Sequence, residues 1–127
     1  MRKRMLGTLA AVAAFAGVLG SAPAASAAPN PPGCGKGYFC IYSDLIQEGR
    51  LVAKSDRNWS GRAVGMSIFN NGTPFPGQDH IQVEWGWADG SGGTYTSCLH
   101  FNPGPGNYSQ SFGADVAFTK VTWRGEC

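Results

Sequence analysis

The chain has 127 residues, 14% charged and 43% hydrophobic, with ten Lys and Arg against eight Asp and Glu; that length supports a single domain. Three of the basic residues, Arg2, Lys3 and Arg4, stand at the start. Without them the chain is near neutral, and it lacks the basic surface that nucleic acid or an anionic membrane would require.

Arg2-Lys3-Arg4, an apolar run over 5–19 and Ala25-Ser26-Ala27 form the basic region, apolar core and small-residue cleavage site of a secretory signal peptide. Gly20-Ser21-Ala22-Pro23 interrupts the run short of the roughly 20 apolar residues that a membrane-spanning helix needs. The expected organisation is a signal peptide at 1–27, a short Pro-rich linker at 28–33 and one domain at 34–127. The mature protein is expected to be extracellular, monomeric and free of the membrane.

Cys34, Cys40, Cys98 and Cys127 all follow the cleavage site, and an exported chain meets an oxidising environment, so two disulfides are expected. Four cysteines allow three connectivities. Cys34 and Cys40 enclose two glycines and are close enough to shut a tight loop, which favours Cys34 with Cys40 and Cys98 with Cys127. The wide, unpaired spacings do not match a zinc site built on cysteines, and no metal is expected.

From residue 34 onward, β-type runs alternate with Gly, Asn, Pro and Asp breaks. Strands are expected at 38–43, 50–54, 65–70, 80–87, 93–101 and 116–124, with no helix. The clearest is 80–87: Ile81, Val83, Trp85 and Trp87 fall on one face, and His80, Gln82 and Glu84 on the other. Asp79 and His80 read as a turn residue followed by a half-exposed polar one. Six strands in a chain this short imply an all-β sandwich or Greek-key barrel that depends on its disulfides.

In the fifth strand Tyr95, Ser97, Leu99 and Phe101 share one face and Thr96, Cys98 and His100 the other. If Cys98 reaches inward to Cys127, Leu99 points outward; the reverse orientation puts Leu99 in the core. Asn102-Pro103-Gly104-Pro105-Gly106 ends the strand, because proline lacks a ladder donor.

The only histidines, His80 and His100, lie in no nucleophile, zinc-protease or phosphate-loop motif, and no enzyme is expected. Trp59, Trp85, Trp87, Trp123 and Tyr108 could offer flat faces to sugar rings. Trp85 and Trp87 align with the apolar face of their strand, which leaves Trp59 as the loop-borne candidate for a secreted glycan-, wall- or toxin-type binding module, the alternative reading of the chain.

Cys34-Gly35-Lys36-Gly37-Tyr38-Phe39-Cys40-Ile41-Tyr42-Ser43-Asp44, followed by Gly49-Arg50, resembles the opening of small secreted actinobacterial metallopeptidase inhibitors of the Streptomyces type. The resemblance implies a βγ-crystallin-like Greek-key sandwich of about six to eight strands. Tyr42 and Gly49 match the ends of its corner motif, with Gln47 in place of the second aromatic. It also implies a thermolysin-like extracellular metallopeptidase as partner and an inhibitory loop at Cys98, Leu99, His100 and Phe101. Cys98 and Leu99 would flank the bond laid across the protease metal, and His100 and Phe101 would extend the contact. A second loop cysteine found in the relative is replaced here in the region of Asn102 and Pro103. Arg62 and Ala63 stand where calcium-binding relatives carry Asp or Asn, so neither calcium nor any other cofactor is expected.

Overall fold

Among the described residues, six antiparallel strands, β1 (Tyr38–Tyr42), β2 (Leu51–Ser55), β3 (Trp59–Asn71), β4 (His80–Trp87), β5 (Tyr95–Leu99) and β6 (Ser109–Arg124), form one sheet in the order β2-β1-β3-β6-β4-β5. This is the all-β class expected, and both favoured disulfides, Cys34–Cys40 and Cys98–Cys127, are formed. The computed structural model describes Gly17, Gly20, Ser21 and residues 26–127; most of the expected signal peptide lies outside the described residues. Among the described residues no helix is long and apolar enough to cross a membrane.

Strands β3 and β6 start well before the expected 65 and 116. Gly61, Gly113 and Asp115 disfavour strand locally, but long-range pairing overrides them: Trp59 faces Val121, and Ser67 faces Ser111. The register slips between Ser60 and Ala63 and between Gly65 and Ser67, and such bulges bend a strand. Gly65 sits at the second bend, where a Cβ would collide with the Tyr42 carbonyl.

The bends fold the sheet across itself. Phe39 pairs with Asn70, yet its ring centroid lies 6.4 Å from that of Trp59, a residue that a straight strand would carry on the order of 35 Å away. Phe39, Ile41, Ile68, Ile81, Val83 and Phe118 fill the enclosed space, each with no exposed area.

Between β1 and β2 the chain makes a tight turn through a short 3-10 segment, Leu45–Gln47. Gly49 has φ +73°, and a Cβ there would meet the Ser43 hydroxyl, so the corner requires glycine. Ile46 and Gln47 also have positive φ, 47° and 63°, unusual for side-chain-bearing residues. Their amides are held by the Ser111 and Ser67 hydroxyls, each at 3.0 Å.

The segment 28–33 is fastened to the domain. Asn102 accepts from the Ala28 amide at 2.9 Å and donates to the Ala28 carbonyl at 3.0 Å. Tyr42 donates to the Pro32 carbonyl at 2.7 Å.

Candidate functional site

Residues directly opposite one another in a sheet share a face. Leu99 pairs with Ile81, which pairs with Trp123, while Cys98 pairs with Gln82, which pairs with Thr122. The first row faces the core: Leu99 is 3% exposed and Ile81 0%. Ser97 belongs to the same face and accepts a hydrogen bond from Trp85 Nε1 at 3.0 Å. Of the two orientations open in the sequence, the chain therefore takes the one with Leu99 inward and Cys98 outward. The chain beyond Arg124 turns back over the outer face of the sheet, and Cys127 meets Cys98 there, leaving Leu99 to the interior.

This return of the C-terminus builds a second, smaller cluster on the outer face. His80, expected to be half-exposed, is 1% exposed. It lies at the end of β4 opposite Arg124, covered by His100, Phe101 and Glu126. The His80 and His100 ring centroids are 4.2 Å apart, and His80 and Phe101 meet edge to face at 5.9 Å. His80 Nδ1 lies 2.7 Å from Asp79 Oδ1, and His80 Nε2 lies 3.5 Å from Glu126 Oε2.

Asp79 is itself fixed, with Oδ2 accepting from the Phe75 amide at 3.0 Å. Burial pushes its carboxyl upward, but hydrogen bonds from His80 and the Phe75 amide hold it below the ordinary carboxylate value.

His100 Nδ1 donates to the Phe101 carbonyl at 2.9 Å, and the glycine-rich run wraps the ring. A Cβ on Gly104 would overlap the imidazole. The side chain of Asn102 is fully buried; the Asn102 backbone N–H donates to the Asn70 carbonyl at 3.2 Å, and Lys36 Nζ donates to the Asn102 backbone carbonyl at 2.6 Å. Asn70 in turn donates to the carbonyls of Asp79 and Leu99 at 3.0 and 3.2 Å. These hydrogen bonds anchor the loop at Asn102.

Cys98, Leu99, His100 and Phe101 thus divide between two environments: Leu99 in the core, the other three on the outer face. Sequence reasoning paired Asp79 with His80 but read the two as a turn residue and a half-exposed polar one, and it missed Glu126 and the burial of His80. The one available signal was Glu126 beside Cys127, which the favoured disulfide carries to within two residues of His100.

Two other surface features stand out. Among the described residues, strand β5 pairs only with β4 and is an edge strand. A cleft of about 410 Å³ is bounded by Asp56, Arg57, Asn58, Phe75, Gln78 and Trp123. Phe75 is 61% exposed, and Trp123 Nε1 is buried without a hydrogen-bond partner among the described residues. Trp59, expected on a loop, instead opens β3 and packs edge-on against Phe39 in the core.

No family model matches the chain, and neither the curated proteins nor the solved structures yield a match.

Proposed function

We propose that the protein is exported and inhibits an extracellular metallopeptidase of the thermolysin-like class, docking through the free edge of β5 and the adjoining His100 and Phe101. Leu99 is a core residue in this reading and does not enter the protease. The observation that carries it is the unguarded edge. The β5 sequence, Tyr-Thr-Ser-Cys-Leu, contains no charge and no proline, whereas the opposite edge strand β2 carries Lys54. Proteins usually blunt edge strands with such residues, and an unblunted edge can pair with an extended partner backbone.

An endopeptidase cleft holds its substrate extended, so an edge strand offers it a matching backbone. Inhibition rather than turnover then follows from rigidity. Cys98 is tied to Cys127 and Leu99 is locked into the core, so the bond between them cannot be drawn into a catalytic centre. A contact strand already held in shape also loses little freedom on binding. The leader-like start and the two disulfides support export. Titrating a thermolysin-like zinc endopeptidase with the purified protein tests the reading: unchanged protease activity at micromolar excess rejects it.

A second reading, a glycan- or wall-binding module, is favoured by the cleft beside Phe75 and Trp123. Its aromatic surfaces and the polar groups of Asp56, Asn58 and Gln78 suit a sugar. Co-sedimentation with insoluble cell-wall glycan that is lost in Phe75→Ala would favour it over inhibition.

A further inference from the structure

We propose that His80, His100 and Glu126 form a binding site for one divalent cation of the zinc class, which cross-links β4, the exit of β5 and the C-terminal tail. One nitrogen of each imidazole and one Glu126 oxygen lie within 4.8 Å of one another. His80 Nε2 and Glu126 Oε2 are 3.5 Å apart. Ligands at about 2.0–2.1 Å from a tetrahedral zinc are about 3.3 Å from each other, so this edge of the polyhedron is nearly in place. The Glu126 side chain is 89% exposed and has room to adjust.

The protonation pattern points the same way. A backbone carbonyl only accepts, so the 2.9 Å contact with the Phe101 carbonyl puts the proton of His100 on Nδ1. Its Nε2 is left as a lone-pair donor. Asp79 plays the same part for His80 at 2.7 Å. An imidazole whose far nitrogen donates to a carboxylate or a backbone carbonyl is the arrangement that orients metal-binding histidines.

His80 Nε2 supplies an independent observation. It is buried, faces this cluster and has no hydrogen-bond partner among the described residues. Native interiors seldom leave such an atom unsatisfied, and a bound cation would satisfy it. Two imidazole nitrogens and one carboxylate suit zinc and its neighbours, whereas calcium and magnesium take oxygen ligands. Three protein ligands leave a fourth position for water.

The test is calorimetric titration of the tag-free, fully disulfide-bonded protein with zinc chloride, with calcium chloride as control. One zinc per chain with a Kd of about 10 µM or tighter is expected, with no calcium binding. Glu126→Gln, a surface change, should weaken zinc about tenfold or more, and His100→Gln at least as much. Cobalt in place of zinc should give visible d–d bands that Glu126→Gln alters. Absence of zinc binding at about 100 µM overturns the site, and so does an affinity that both variants leave unchanged.

Discussion

The imidazole of His100 occupies the space that a side chain on residue 104 would need. The glycine there is demanded by contact with a specific ring. At Gly106, by comparison, an added Cβ would sit 3.4 Å from His100 Cβ, an ordinary contact. Gly104→Ala should therefore destabilise the fold by about 1–3 kcal/mol through forced displacement of the ring. Gly106→Ala should change stability by less than about 1 kcal/mol. Urea denaturation of the two variants checks this, and equal effects would contradict it.

Leu99→Ala should cost about 2–5 kcal/mol, because the side chain packs in the interior beside Ile81 and leaves a cavity when shortened. A loss below about 0.5 kcal/mol is what an outward-facing residue would show.

The two disulfides should contribute unequally. Cys98 and Cys127 are 29 residues apart in sequence and Cys34 and Cys40 only 6. Loop-closure entropy then assigns about 3–4 kcal/mol to the first and about 2 kcal/mol to the second. Replacing each pair by serine and comparing denaturation midpoints measures the difference. A larger loss for the Cys34 and Cys40 pair would contradict the ordering.

Asn102→Ala should destabilise by about 2–3 kcal/mol, since the buried amide exchanges two hydrogen bonds with the Ala28 backbone. In a chain that begins at Asn30 the same substitution should cost measurably less, because its partner is already gone. A double-mutant cycle reads this coupling. Strict additivity would mean that 28–29 are not held by Asn102.

The strand at 80–87 was legible in the sequence because its apolar residues recur with period two. The corner glycine was legible too: the resemblance located Gly49, and its φ of +73° supplies the reason. The orientation of β5 was not. Period two fixes that Cys98 and Leu99 point oppositely, but which of them faces inward depends on register with Ile81 and Gln82, a long-range quantity. The early starts of β3 and β6 were hidden for a similar reason, since Gly61 and Gly113 break strands locally and only cross-strand pairing holds them extended. The polar cluster needed both the register and the path of the C-terminal tail, which brings Glu126 to a histidine 46 positions earlier in the chain.

The proposed inhibition is tested most directly by titrating a thermolysin-like zinc endopeptidase with the protein in buffer containing excess zinc, so that removal of metal from the protease is not read as inhibition. Protease activity should fall in proportion to added protein. Leu99→Ala should still inhibit under conditions where it remains folded. Thr96→Lys places a charge on the exposed edge strand opposite Glu84; it should leave stability nearly unchanged and weaken inhibition about tenfold or more. Full protease activity at micromolar excess of the wild-type protein, or inhibition that Thr96→Lys leaves intact, would contradict docking through β5.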